Sequence, residues 1–212
     1  MIKAILFDFD GTLADTAPGI ILTMRETFKT MGLPVPDDEA IRQTIGLQLI
    51  DGVRILGNFS DEDAERGVKT YRSLFPTFEL NHITLFPEVA EGIAELSRRG
   101  VRLAICTSRG RESLRRILSR YGLWESFETA VTASDNLPPK PAPDPVLALL
   151  DRMGLGADEV LVIGDTTFDI LMGSRAGCRT VAVTYGNHTV EQLERVSPSH
   201  MISHFSELLP LV

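Results

Sequence analysis

Two pairs of aspartates follow apolar segments near opposite ends of the chain. Asp8 and Asp10 come directly after the apolar run 2–7, and Asp165 and Asp169 come after another apolar run. Two carboxylates about 4 Å apart repel by about 4 kcal/mol at an effective dielectric constant of 20, a cost that a hard cation relieves. Mg²⁺ prefers oxygen ligands and commonly binds protein carboxylates together with a substrate phosphate. The pattern therefore predicts a magnesium site for a phosphorylated substrate.

Other polar groups in the sequence are suited to binding a phosphoryl group. Thr107 and Ser108 follow a third apolar run, Lys140 stands between two prolines, and Gly11 allows a tight turn with exposed backbone N–H groups. A hydroxyl, N–H donors and a positive charge match the charge spread over phosphoryl oxygens. We expect these residues to lie beside the aspartates.

Each of these features also has a purely structural interpretation. Asp-x-Asp-Gly is common in turns, and Gly-Asp-x-x-x-Asp could begin a helix. Thr107 could simply end a strand, and Lys140 could lie in a rigid exposed loop. Their joint occurrence, each at the carboxyl end of a predicted strand, favours the chemical interpretation.

Short apolar runs typical of buried strands alternate with helical patterns over most of the chain. The predicted strands are residues 2–7, 101–106, 129–131, 160–163, 180–183 and an edge strand within 197–204. The predicted helices are residues 87–99, 112–121, 144–153 and 168–176. This alternation predicts an α/β fold with a parallel sheet and helices on both faces. Ligands of such sheets bind beyond the carboxyl ends of the strands.

One segment interrupts the alternation and has helical periodicity without a convincing buried strand. Its predicted helices are residues 17–31, 37–44, 49–56 and 60–75. Ser60 is the expected N-cap of the last helix, and Pro76 is expected to end it. We therefore predict a core domain of residues 1–14 and 82–212 with an inserted helical domain of residues 15–81.

The composition is that of an ordinary globular protein. The chain has 212 residues, 43% of them hydrophobic, and a formal net charge of -8, which disfavours nonspecific nucleic-acid binding. The basic run that contains Arg109, Arg111, Arg115 and Arg116 is interpreted as a solvated helix face. The two cysteines lie in apolar segments and are expected to be buried thiols. Since neither a signal peptide nor a membrane span is predicted, we expect a cytoplasmic protein.

These motifs resemble those of the haloacid dehalogenase superfamily phosphatases, close to the phosphoglycolate phosphatase and pyrophosphatase branch. The four family motifs correspond to the run from Asp8 to Leu13, Thr107, Lys140, and the run from Gly164 to Asp169. The resemblance covers essentially the whole chain. It implies a Rossmann-like parallel sheet core, with the inserted helices as a cap domain.

The resemblance also implies roles for the motif residues. Asp8 would be the nucleophile and a Mg²⁺ ligand, and Asp10 would be the acid and base, with its backbone carbonyl on the metal. Asp165 would bind the metal directly. Asp169 would lie behind the direct metal ligands or bind the metal through a water molecule. The groups that would bind the substrate are Gly11, Thr107, Ser108 and Lys140, with Gly46, Leu47 and Gln48 in the cap.

We expect the substrate to be a small phosphorylated metabolite, with 2-phosphoglycolate first and inorganic pyrophosphate second. A helical lid can close over a ligand of limited size and exclude water. The cap arginines that could bind a second anionic group are Arg25, Arg42, Arg54 and Arg72. We expect neither nucleic acid nor a membrane as a partner, and either a monomer or a homodimer.

Other activities compete with this interpretation. A dehalogenase does not need Asp10, and a phosphonate-cleaving enzyme needs a cap lysine, for which only Lys29 and Lys69 are candidates. A β-phosphoglucomutase-like phosphosugar mutase, or a sugar phosphatase, shares both aspartates and the cap type and stays open. The complete motifs disfavour a binding protein without enzymatic activity.

Overall fold

Six parallel strands form the central sheet. The computed structural model describes residues 1–212, with the exception of the side chain of Leu80. The strands of the described chain are β1 (Ala4–Phe7), β2 (Ala14–Asp15), β3 (Thr84–Leu85), β4 (Arg102–Cys106), β5 (Thr129–Val131), β6 (Val160–Gly164), β7 (Arg179–Val183) and β8 (His200–Ile202). The sheet has the order β5-β4-β1-β6-β7-β8, and all its pairs are parallel. The predicted α/β class is confirmed.

Four helices lie between β2 and β3. They are α1 (Ala17–Thr30), α2 (Asp38–Arg42), α3 (Leu49–Gly57) and α4 (Asp61–His82). The Ser60 side chain caps α4 by accepting a hydrogen bond from the backbone N–H of Asp63, as predicted. Buried residues of α1 and α4, such as Met24, Phe28 and Tyr71, join the apolar cluster that continues into the sheet. We call these four helices the cap.

The helix α4 does not end at Pro76, so this prediction was wrong. Proline lacks an N–H group and leaves the carbonyl of Arg72, four residues earlier, without its helical partner. Pro76 and Arg72 are both exposed, so that carbonyl lies on the side of the helix that faces water. Beyond the proline, the buried carboxylate of Glu79 binds the guanidinium of Arg116 on a core helix. This ion pair holds the last turns of α4 against the core.

A short two-stranded sheet joins the cap to the core and was not predicted. Ala14 in β2 lies opposite Leu85 in β3, and the two strands are antiparallel. The two chain segments that connect the cap to the core therefore run side by side. Two residues are too few to show the alternation that identifies a strand in a sequence.

Helices cover both faces of the central sheet. They are α5 (Val89–Arg98), α6 (Arg111–Arg120), α7 (Asp144–Met153) and α8 (Thr167–Arg175), and α9 (Val190–Glu194) follows β7. Ile5 and Phe7 of β1 belong to one buried cluster, whereas Ala4 and Leu6 belong to the cluster on the other face. This burial on both faces explains why the strands are continuous apolar runs. Within the described residues, no helix combines the length and the hydropathy needed to cross a membrane.

The register of the sheet brings the polar segments together. Phe7, the last residue of β1, lies beside the carboxyl-terminal ends of both β4 and β6. The chain therefore leaves three neighbouring strands at one edge, and Asp8, Thr107 and Asp165 follow directly. The strand order changes direction beside β1, which is where open α/β sheets bind their ligands.

Replacing Arg116 with methionine should destabilise the protein. The change leaves the buried Glu79 carboxylate without its charged partner, which costs about 1–3 kcal/mol. Urea unfolding measures the loss. Adding Glu79→Gln should recover part of it, because a neutral amide tolerates burial better, and an Arg116→Met variant as stable as the wild type would show that the pair does not hold α4.

Candidate active site

A buried lysine lies between two of the aspartates. The Nζ atom of Lys140 donates hydrogen bonds to Oδ1 of Asp8 at 2.7 Å and to Oδ1 of Asp169 at 2.6 Å. The lysine side chain is only 3% exposed. Burial alone would lower the pKa of Lys140, but the carboxylates of Asp169 and Asp8 raise it above its ordinary value. The lysine therefore stays charged and fixes one oxygen of the Asp8 carboxylate.

Asp165 lies in a cradle of hydrogen-bond donors. Its Oδ1 accepts from the hydroxyl of Thr12 at 3.1 Å, and its Oδ2 accepts from the backbone and side-chain N–H groups of Asn187 at 2.7 and 2.8 Å. Gly11 has a φ of +85°, and a Cβ atom there would lie 2.1 Å from Oδ2 of Asp165. The predicted turn glycine is thus needed for the backbone to approach this carboxylate.

The three buried carboxylates are suited to a divalent cation. One oxygen from each of Asp8, Asp165 and Asp169 lies within 4.8 Å of the others. Burial raises the pKa of Asp8 well above its usual range, although Lys140 opposes the rise and the neighbouring aspartates add to it. Burial and the Asp169 carboxylate raise the pKa of Asp165 to about 7, against the hydrogen bonds from Asn187 and Thr12. The other oxygen of Asp8, Oδ2, is buried without a hydrogen-bond partner among the described residues. Hard oxygen ligands with excess negative charge fit Mg²⁺ or a similar cation.

The side chain of Asp10 lies outside this cluster and binds Arg109. The Nε atom of Arg109 lies 3.1 and 3.0 Å from the two carboxylate oxygens, and Nη2 lies 2.5 Å from Oδ1. The side chains are 8% and 12% exposed for Arg109 and Asp10, respectively. The interpretation of Arg109 as part of a solvated helix face was therefore wrong. Arg109 precedes α6, and the loop that begins at Thr107 turns it inward.

The predicted phosphate-binding loop contacts the cap. Thr107 is buried, and its Oγ1 accepts a hydrogen bond from the backbone N–H of Arg109. The hydroxyl of Ser108 donates to the carbonyl oxygen of Gly46 at 2.7 Å. Gly46 has a φ of +101°, and a Cβ atom there would lie 3.0 Å from a methyl group of Thr166. A glycine is therefore required where this cap loop meets the core.

A cavity of about 1020 Å³ lies between the cap and the carboxyl edge of the sheet. The predicted site residues that line it are Asp8, Asp10, Gly46, Leu47, Gln48, Thr107 and Ser108. Lys140 does not line the cavity but binds Asp8, which does. Gly11, Asp165 and Asp169 are also outside the cavity wall, in the buried part of the site. Apolar cap side chains, including Met24 and Phe75, complete the wall.

The four cap arginines have different surroundings. Arg25 pairs with Asp38, and Arg54 pairs with Asp51 and Asp61. The Nη1 atom of Arg42 lies 3.4 Å from the side-chain oxygen of Asn187. Of the four, Arg72 alone lines the cavity, and it has no hydrogen-bond or ion-pair partner in the described part of the chain.

Three residues near the site were missed by sequence reasoning. They are Arg109, Asn187 and His188. Asn187 and His188 follow β7, so they also lie beyond the carboxyl edge of the sheet. This position after a predicted strand could have identified them as candidate site residues. Burial lowers the pKa of His188, whose Nδ1 accepts a hydrogen bond from the backbone N–H of Thr167. This contact supports the turn that carries Asp165 and Asp169.

The family of the chain follows from comparison with known proteins. A family model described as haloacid dehalogenase-like hydrolase matches residues 5–183. The chain belongs to this family, which confirms the resemblance noted in the motifs. A solved haloacid dehalogenase-like family hydrolase from Streptococcus pneumoniae has a TM-score of 0.88 and 27% identity, covering 99% of this chain and 98% of that one.

Several curated relatives carry phosphatase names. A Dickeya dadantii protein named "Probable phosphatase IndB" is 35% identical, covering 97% of this chain and 91% of its own. A phosphoglycolate phosphatase from Pectobacterium atrosepticum is 30% identical over 100% of this chain and 92% of its own. Pyrophosphatase PpaX from Oceanobacillus iheyensis is 29% identical over 100% of this chain and 97% of its own.

Asp165→Asn should change how stability depends on pH when divalent cations are removed. The pKa of Asp165 is about 7 in the folded protein and about 3.9 in an unfolded chain. Because the folded state holds the extra proton, the free energy of unfolding should fall as pH rises through this interval. The amide cannot titrate, yet its oxygen can accept from Asn187 and its NH₂ group can donate to Thr12.

Denaturant unfolding in the presence of a chelator measures this effect. Relative to the variant, the wild type should lose at least about 1 kcal/mol between about pH 5 and pH 8, since one pKa unit corresponds to about 1.4 kcal/mol. Parallel pH profiles for the two proteins would contradict the raised pKa.

Proposed function

We propose that the protein is a Mg²⁺-dependent phosphatase that forms an aspartyl-phosphate on Asp8. The observation that carries the proposal is the state of the Asp8 carboxylate, which has Oδ1 bound by Lys140 and Oδ2 buried without a partner. Both oxygens lie at the carboxyl edge of the sheet, beside a cavity large enough for a metabolite. A carboxylate fixed in this way is suited to attack phosphorus.

The reaction would proceed in two steps. An oxygen of Asp8 attacks phosphorus, the bond from phosphorus to the leaving oxygen breaks, and the Asp10 carboxyl gives its proton to that oxygen. A water then attacks the aspartyl-phosphate, Asp10 takes the proton from that water, and inorganic phosphate leaves as Asp8 is regenerated. Thr107 and Lys140 would hold the phosphoryl oxygens during both steps.

The carboxylates of Asp8 and Asp165 would hold Mg²⁺, with the backbone carbonyl of Asp10 as a further ligand. When bound, the cation supplies positive charge that offsets the negative charge of the carboxylates and the phosphate. Asp169 binds Lys140 and accepts hydrogen bonds from the backbone and hydroxyl of Thr166. Its role would be to position the lysine and the turn that carries Asp165.

The substrate would be a small phosphorylated metabolite, 2-phosphoglycolate first and inorganic pyrophosphate second. The names of the relatives and the enclosed position of Asp8 beneath the cap support this class. The cavity volume of about 1020 Å³ favours a second candidate, a sugar phosphate, because it exceeds what phosphoglycolate fills. Neither nucleic acid nor a membrane would be a partner, and the enzyme would act in the cytoplasm as a monomer or homodimer.

Asp8→Asn should abolish turnover and leave the fold intact. An amide is not a competent nucleophile, and removing one charge relieves the repulsion within the cluster. We expect kcat to fall at least about a thousandfold, a size typical of losing a nucleophile. Phosphate release and melting temperature measure the two effects, and acid-quenched wild-type enzyme should carry a phosphoryl group on the peptide that contains Asp8. Retained activity in the pure variant would refute the mechanism.

A substrate panel should separate the candidate substrates. We expect the highest kcat/KM for phosphoglycolate or pyrophosphate among phosphoglycolate, pyrophosphate, hexose phosphates and nucleoside monophosphates, with activity lost on chelation and restored by Mg²⁺. A preference for hexose phosphates would keep the mechanism and select the second candidate. A preference of more than about tenfold for a nucleotide or phosphoprotein would refute the small-substrate proposal.

A further inference from the structure

Arg109 is a buried cation at the reaction centre that the proposed steps do not use. Its guanidinium binds both oxygens of Asp10, and Nη1 donates to the hydroxyl of Ser113 at 2.8 Å. These contacts use three of its five N–H donors. Within the described residues, the remaining two donors have no hydrogen-bond partner. Arg109 and Asp10 both line the cavity.

Two aromatic rings hold the Arg109 guanidinium in place. Its Cζ atom lies 5.6 Å from the ring centre of Phe9 in the core and 5.1 Å from that of Phe75 in the cap. Both distances allow attraction between the cation and the ring faces. The side chain is therefore fixed between the cap and the core before any ligand arrives, so little conformational entropy is lost when an anion binds.

The Asp10 carboxylate is not free while Arg109 holds it. Both of its oxygens accept hydrogen bonds from the guanidinium. To give a proton to the leaving oxygen, the Asp10 carboxyl must have one oxygen available for that proton. A second anion on the guanidinium would compete with Asp10 and loosen this pair.

We propose that Arg109 binds a second anionic group of the substrate, and that this group displaces Asp10 from the guanidinium. Arg109 would thereby select phosphate esters that carry a carboxylate or a second phosphate close to the reacting phosphorus. This inference rests on the proposed phosphatase function and narrows its substrate class. Binding of the correct substrate would release the acid group that its own reaction requires.

Arg109 fits this role better than Arg72, the free cap arginine. A short substrate has its second anion only two or three bonds from the phosphate ester oxygen, so the receiving cation must lie beside Asp8 and Asp10. Arg109 contacts Asp10 directly. Arg72 is exposed on the cap wall and has no contact with the aspartates among the described interactions.

Kinetics with two matched substrates test the inference. Ethyl phosphate replaces the carboxylate of phosphoglycolate with a methyl group and keeps the phosphate ester. In Arg109→Gln, the ratio of kcat/KM for phosphoglycolate to that for ethyl phosphate should fall about 10- to 100-fold, the size of one charge-assisted contact. KM for phosphoglycolate should rise in Arg109→Gln. Arg109→Lys should restore part of the ratio of the two kcat/KM values.

Two other arginines of the cavity wall provide matched controls. Arg111 is two residues away and pairs with Asp135, and Arg72 is the free cap arginine. Arg111→Gln and Arg72→Gln should leave the substrate ratio within about twofold of the wild type. Equal falls in all three variants would indicate general electrostatic attraction and overturn the proposal. A fall confined to Arg72→Gln would assign the role to the cap.

Direct binding separates this inference from the proposed function. Calorimetry with Asp8→Asn, which cannot turn over, should show weaker phosphoglycolate binding after Arg109→Gln and little change for ethyl phosphate. A wild type that hydrolyses none of the phosphate compounds in the substrate panel would refute the phosphatase proposal, while calorimetry would still decide the inference. Equal weakening for both ligands, or no binding of either, would refute the role of Arg109.

Discussion

Burial of several like charges at one edge of a sheet is the constraint on which the rest of this structure depends. Asp8, Asp165 and Asp169 are nearly inaccessible to water. Among the described residues, Lys140 is the only cation that forms ion pairs with this cluster, and it pairs with Asp8 and Asp169. Backbone and side-chain donors hold the remaining oxygens of Asp165 and Asp169, as in the cradle around Asp165, and this offsets part of the cost of burial. Oδ2 of Asp8 has no such donor among the described residues. The charge that stays unbalanced suits a site that binds a cation and then a phosphate.

The sequence predicted the part of the site that follows directly from strand positions. Asp8, Thr107 and Asp165 each follow a run of apolar residues, and parallel strands must bring such positions to one edge. Lys140 has no such strand immediately before it. Its place was inferred because a positive charge suits a phosphoryl group, and the resemblance to a family then implied its role. The structure confirms the parallel sheet, and the roles of the individual residues stay predictions.

The contacts that were missed depend on packing rather than on local pattern. Arg109 lies in a basic run that also fits an exposed helix, and only the fold shows that a loop turns it towards Asp10. The last turns of α4, beyond Pro76, are held by the ion pair of Glu79 with Arg116, which is far away in sequence. No periodicity within either segment carries this information, because each partner belongs to another element.

The cap contacts residues that position the side chains of the site, so the position of the cap affects the geometry of the site. Gly46 accepts a hydrogen bond from Ser108, and Phe75 packs on the guanidinium that binds Asp10. Arg42 reaches Asn187, which in turn holds Asp165. Each contact joins the cap to a residue next to a reacting or charged group. A shift of the cap would therefore move the loop at Thr107, the pair of Asp10 with Arg109 and the carboxylate cluster together. In the proposed phosphatase, closure of the cap over a substrate and assembly of the site would then be one event.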